Sequence, residues 1–224
     1  MTNTSIWITY HDEKQIEQYN LQEDDTFHLF KGNDILHIKG ENINLLNPFY
    51  CELVTLYYVW KNHLYSNKVG FCHYRRVFRE ILDIEDGVCQ TLAINKNHPI
   101  FAHYKASHNY QDLYDIVDIL NKHYGEKNKY STYLLEGRVF IPFCCFIMKW
   151  NDFNRLCKFL FPILEAFDRK NNLNMNPQKY IEKANKDFRY DNIDYQKRAI
   201  AFLGERLISC FLVCEMKNYC LNEL

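Results

Sequence analysis

Lys68-Val69-Gly70-Phe71-Cys72-His73-Tyr74-Arg75-Arg76 begins as an apolar strand and ends abruptly on two guanidinium groups. Val, Phe and Cys suit a pleated interior surface, whereas adjacent arginines do not enter a core unpaired. An interior strand is therefore predicted over 68–74. Ser5-Ile6-Trp7-Ile8-Thr9-Tyr10 has the same β-branched and aromatic character and stops at His11-Asp12, which predicts a buried first strand. Between and beyond these runs the apolar spacing turns helical. Strands alternating with helices predict an α/β layer fold in one domain. In open α/β sheets ligands collect outside the carboxyl ends of strands, so His73-Tyr74-Arg75-Arg76 is the first place to look for chemistry.

Residues 13–25 are polar and read as solvated helix or loop. Thr26–Phe30 and Ile35–Lys39 are weaker strand candidates on either side of Gly32-Asn33-Asp34. Asn47 followed by Pro48 is a helix start, a side-chain cap and then Pro at the first helical position. Apolar residues at 49, 53, 56, 57, 60 and 64 continue one face, giving a helix over Pro48–His63 with Glu52, Thr55 and Asn62 off its stripe. Short strands are expected near Thr91–Ile94 and Pro99–Ala102, a helix over Gln111–Tyr124, and a long central strand over Arg138–Trp150. Asn151 should cap a helix reaching Asp168 that Pro162 kinks or interrupts. Residues 169–192 read as a long polar loop that orders on ligand binding. The last helix, Asp194–Lys217, buries Ile200, Leu203, Leu207, Cys210, Phe211 and Cys214, with Arg198, Glu205 and Ser209 on the opposite side.

Bulk properties narrow the function classes. The 224 residues carry 27 Lys and Arg against 28 Asp and Glu, a net charge of −1, which argues against a broad nucleic-acid footprint. Nine cysteines sit mostly inside apolar runs such as Phe143-Cys144-Cys145-Phe146, and no CxxC occurs, so buried reduced thiols are expected rather than a zinc ribbon. The amino terminus has no basic start or apolar core, and no run approaches the roughly 20 residues of a membrane span. A cytosolic protein is the expectation.

Two adjacent arginines, each a fork of N–H donors with a fixed charge, suit phosphate or carboxylate oxygens. Both reach one ligand only if the chain turns at the strand end, and ion pairs with Glu80 or Asp83 would account for them equally well. Asn42, Asn44 and Asn47 precede a helix start, where free N–H groups favour anions, although turn and capping duty explains them as well. Gly204-Glu205-Arg206 lies mid-helix and reads first as an exposed acid and base. His98, His103 and His108 are five apart and share no helical face, so no metal site is expected. GxGxxG, GxxxxGK[ST], HExxH and GxSxG are all absent, which removes the usual warrant for P-loop hydrolysis and serine hydrolysis.

Asn42-Ile43, Asn47-Pro48, Cys51-Glu52-Leu53, Tyr57, Trp60-Lys61-Asn62, Gly70 and His73-Tyr74-Arg75-Arg76-Val77-Phe78 together resemble a family of bacterial surface-polysaccharide glycosyltransferases. The family was long labelled a domain of unknown function and is found in capsule and exopolysaccharide clusters. His108 with Asp112-Leu113, Phe146-Ile147-Met148-Lys149 and Gly204-Glu205-Arg206-Leu207 extend the resemblance over nearly the whole chain. It implies a GT-A-like, Rossmann-related mixed sheet flanked by helices, with residues 1–105 as the nucleotide-sugar half and 106–224 as the acceptor half.

The implied activity is transfer of a hexose, galactofuranose in some relatives, from a UDP-sugar to a saccharide acceptor, free or lipid-linked, at the inner face of the membrane. Aromatic and basic residues near 155–170 or 169–189 would touch the bilayer. Thr9, Tyr10 and His11 would lie beside the base, and Glu41–Asn47, with Asn42 and Asn47, along the donor wall. Where many GT-A enzymes keep Asp-x-Asp for a manganese or magnesium ion, this chain reads His-Tyr-Arg-Arg. The expectation is therefore a reaction without a required cofactor, in which Arg75, Arg76 and Arg206 neutralise the leaving diphosphate with Tyr74 beside them. Glu205, His73 and Glu52 are the candidate bases. A non-catalytic nucleotide-sugar or saccharide binding module is the alternative.

Overall fold

The structure, a computed structural model, describes residues 4–186 and 192–221. A six-stranded mixed sheet forms its centre, in the order β2 (Phe27–Lys31), β1 (Thr4–Tyr10), β3 (Lys68–His73), β7 (Phe146–Lys149), β4 (Val88–Thr91), β8 (Asn218–Leu221). β1 runs parallel to both β2 and β3, so His11 and His73 emerge at one rim. β7 is antiparallel to β3 and β4, and β8 is parallel to β4. A small ribbon pairs β5 (Asn95–Lys96) with β6 (Val139–Phe140).

The period-2 alternation of β3 divides the core. Val69 and Phe71 face a large cluster with Phe146, Met148 and the helices α3 (Leu53–Lys61), α7 (Trp150–Lys170) and α10 (Ala199–Glu215). Cys72 faces a smaller cluster with Ile6, Ile8, Ile147 and Phe78. Gly70 separates Ile6 from Ile147: a Cβ there would lie 2.8 Å from Ile147 Cγ1. The remaining helices are α1 (Glu13–Gln18), α2 (Asn47–Tyr50), α4 (Ile100–Ser107), α5 (Tyr110–Tyr124), α6 (Lys129–Glu136), α8 (Pro177–Asn185) and α9 (Ile193–Gln196). No helix among the described residues is long and apolar enough to cross a membrane. All nine thiols are free, and six are buried.

Several expected elements differ. Ile35–Lys39 is not a strand, because Asp34 Oδ1 accepts the N–H groups of Leu36 and His37 and closes a turn. The single helix over Pro48–His63 is two helices, broken at Cys51, where φ is 49° and ψ −128°. Asn47 is the first residue of α2 rather than its cap, and its amide donates to the Cys51 carbonyl at 3.3 Å. Pro99 is the extended N-cap of α4, so 100–102 is helical rather than strand. The long strand over Arg138–Trp150 is cut into β6 and β7 by Phe143 and Cys144, at φ 77° and 52°.

α7 starts at Trp150 without a side-chain cap and runs unbroken through Pro162. Burial of Phe159, Phe161, Ile163 and Leu164 around that proline, at roughly 1.5–3 kcal/mol each, exceeds the ~3 kcal/mol the ring costs inside a helix. The expected loop over 169–192 contains α8, started by Asn176 Oδ1 accepting from Gln178 N–H ahead of Pro177. The last helix is divided at Lys197-Arg198 into α9 and α10.

Candidate active site

A cleft of about 780 Å³ opens at the rim where β1 and β3 end. One wall carries His11, Asn47, Cys51, Glu52 and the segment His73–Arg76. The facing wall comes from Phe140, Pro142, Phe143 and Cys144 and from α10 with its approach, including Arg198, Glu205 and Arg206. Asn95, His98 and His103 close the far end.

β3 ends in a tight turn, with Arg76 N–H donating to the His73 carbonyl at 2.8 Å. The turn meets the condition under which adjacent arginines can serve one ligand. Arg75 is exposed and its guanidinium lies 5.2 Å from the Tyr74 ring centroid; that of Arg76 lies 3.9 Å over Phe143. Neither pairs with a carboxylate among the described residues, and Asp83, one expected partner, is engaged by Lys68 at 3.6 Å. Across the cleft Arg198 is also exposed and without an acidic partner among the described residues. Its charge reaches His11 and Glu52.

His73 is 7% exposed. Its Nδ1 accepts the Arg75 backbone N–H at 3.3 Å, which leaves the ring proton on Nε2, 3.4 Å from Glu52 Oε1. Burial, then the charges of Arg75, His11 and Arg76, drive the imidazole down to about 3, so it stays neutral. Burial raises the Glu52 carboxyl above the ordinary carboxylate range, with Glu205 adding to the rise. A base gains when its pKa approaches the working pH, which favours Glu52. A ring titrating near 3 accepts protons poorly and suits the role of Glu52's hydrogen-bond partner.

Glu205 and Arg206 also line the cleft but are committed to the protein. Glu205 Oε1 accepts from Phe143 N–H at 2.7 Å and Oε2 pairs with Arg206. Arg206, 3% exposed, contacts His103 Nδ1 at 3.0 Å and lies over the rings of Tyr104 and Phe140.

The cleft thus brings together His11, Asn47, Glu52, His73, Tyr74, Arg75, Arg76, Glu205 and Arg206. Thr9, Tyr10 and Asn42 lie elsewhere. Thr9 is one pleat below the rim, 1% exposed, its hydroxyl 2.6 Å from that of Thr55 on α3. Tyr10 points into the smaller core cluster. Asn42 is half-buried and donates to the Gly40 carbonyl. Arg198 was missed as a site residue although it lies seven residues before Glu205, on the same helical side. His98 and His103 were discounted for their spacing, yet the β5–β6 ribbon and α4 bring their rings to 4.3 Å.

The residues at the β3 end do not fit a divalent cation. Among the described residues, Glu52 and His73 share the cleft with three guanidinium groups that form no ion pair, and no three His, Cys, Asp or Glu side chains converge.

No curated protein matches the chain. The fold is similar to that of WbbM, a bifunctional glycosyltransferase in its apo structure, with a TM-score of 0.71 and 20% identity over 98% of this chain; the match spans 45% of the WbbM chain. A family model described as Domain of unknown function (DUF4422) matches residues 11–95 and 80–217. With that match running from just after β1 to just past α10, the chain belongs to the DUF4422 family.

Proposed function

We propose that this protein is a glycosyltransferase that moves a hexose from a UDP-sugar to a saccharide acceptor. The observation that carries this reading is the set of three guanidinium groups, Arg75, Arg76 and Arg198, which line one cleft without a carboxylate ion pair among the described residues, in a fold similar to that of a glycosyltransferase. Fixed cations gathered at one cleft are suited to a diphosphate, whose charge grows as the sugar leaves.

In a direct displacement Glu52 takes the proton of the acceptor hydroxyl. That oxygen bonds to the anomeric carbon, and the bond from that carbon to the diphosphate oxygen breaks with its electron pair leaving on UDP. His73 holds the Glu52 carboxylate through Nε2–H. Glu205 and Arg206 brace the facing wall. The arginines supply the neutralising charge, so no manganese or magnesium is required. Residues 1–105 form the donor wall and 106–224 the acceptor side. The product is a surface polysaccharide repeat, built on a lipid-linked saccharide at the inner membrane face, with galactofuranose among the sugars to test.

The test is a mass-spectrometric screen of nucleotide sugars with oligosaccharide acceptors, in EDTA and with manganese. The reading expects a hexose mass gain and UDP release in EDTA. Activity only with manganese would contradict the cation-free mechanism. UDP binding without turnover of any donor would favour the binding-module alternative.

A further inference from the structure

We infer that Cys51 is a positioning residue: its backbone, held in a conformation that glycine alone adopts freely, breaks the helix and turns Glu52 into the cleft. The inference rests on the reading of Glu52 as the base and adds the device that aims it. The Cys51 angles, φ 49° and ψ −128°, lie far from the left-handed helical basin near ψ +47°. They fall near the first central position of a type II′ turn, where glycine dominates. A side chain there is strained and persists only where the surroundings enforce it.

The surroundings do enforce it. On one side, Cys51 N–H donates to the Asn47 carbonyl at 2.8 Å and the Asn47 amide returns a bond to the Cys51 carbonyl. On the other side, Leu53 is 1% exposed and packs on Gly204 of α10, where an added Cβ would lie 2.4 Å from Leu53 Cδ1. With both neighbours fixed, the bend falls on residue 51. Glu52 then opens α3 without capping it, and its carboxylate is turned to His73 instead.

The thiol itself is not the useful part, since burial pushes it up to about 12 and keeps it protonated. The facing wall repeats the device: Phe143 and Cys144 both have positive φ, and Phe143 N–H holds Glu205. Strained backbone from two distant segments converges on this one cleft.

The experiment compares Cys51→Gly, which adopts the same bend without strain, with Cys51→Val, whose β-branched side chain resists positive φ, and with Cys51→Ala, which removes only sulfur. The primary readout is the carboxyl titration of Glu52 by ¹³C NMR, assigned with Glu52→Gln. Thermal midpoint, UDP affinity by calorimetry, and kcat and KM for the donor are measured alongside. Cys51→Gly is expected to raise the midpoint by about 2–4 °C and to keep the Glu52 titration and kcat of wild type. Cys51→Ala should match wild type in both. Cys51→Val is expected to lower the midpoint, to bring the Glu52 titration down toward the ordinary carboxylate range, and to lower kcat at least tenfold with KM and UDP affinity within twofold. An unchanged Glu52 titration in the valine variant, or a glycine variant that loses the wild-type titration, overturns the inference. If wild type turns over no donor, the transferase reading fails, while the NMR comparison still decides the role of Cys51.

Discussion

Two sets of arginines share the cleft and live opposite lives. Arg206 is buried, paired with Glu205, bonded to His103 and enclosed by Tyr104 and Phe140. Arg75, Arg76 and Arg198 reach the same space with no acidic partner among the described residues. A buried guanidinium with its acceptors filled stabilises a wall, and removing it strands its partner. A guanidinium at a cleft surface with unfilled donors has affinity left for an anion. Charge alone does not separate the two roles; the company each side chain keeps does.

The largest effect should come from the group the free cations surround. Glu52→Gln is expected to lower kcat by about 10²–10⁴ with donor KM little changed. It should also raise stability at neutral pH: the folded carboxyl titrates above its unfolded value, so its stabilising contribution is full at low pH and lost as pH rises through the folded pKa. Steady-state kinetics and urea unfolding at pH 7.5 check both parts. Next, Arg75→Lys and Arg76→Lys should each reduce turnover by about 10²–10³ while the fold and thermal midpoint stay put. Wild-type rates in both would collapse the distinction between free and committed arginines.

Arg206→Leu should behave in the opposite way, with a stability loss of about 3 kcal/mol by denaturant unfolding, because Glu205 loses its charge partner. A stable variant that has lost only UDP affinity would move Arg206 to the free set.

The comparison extends to pH dependence. His73 and His108 titrate near 3 in the folded state against 6.5 unfolded, both chiefly through burial. Between those values the unfolded chain binds more protons, so stability is full above pH 6.5 and falls as pH drops through the window. The slope is up to about 1.4 kcal/mol per unit for each histidine. Unfolding midpoints at pH 7.5, 6 and 5 should show the decline, and a flat profile would place these rings outside the core.

Two of the three free arginines were legible in the sequence. Arg75 and Arg76 announce themselves by ending an apolar strand, since no core takes two adjacent charges. Arg198 does not, because its meaning depends on a helix break at Lys197-Arg198 that leaves the apolar stripe in phase. Cys51 hides for the same reason: apolar residues at 49, 53, 56 and 57 keep one periodicity across the bend, and a cysteine carries no sign of positive φ. Thr9 misled because a strand's polar end does not say where its rim lies; one pleat separates buried Thr9 from His11 in the cleft. Pro162 misled in the other direction, as tertiary burial overrode a local penalty. Asn176-Pro177 carries the same capping signal as Asn47-Pro48, yet only the former caps its helix, because Asn47 is drawn to the carbonyl of strained Cys51.

The most direct measurement is calorimetric titration of UDP and of uridine into wild type and into an Arg75→Ala/Arg76→Ala double variant. If the free guanidinium groups hold the diphosphate, UDP affinity falls at least about a hundredfold in the double variant, while uridine binds both proteins alike. Equal UDP affinity in the two proteins would contradict the account.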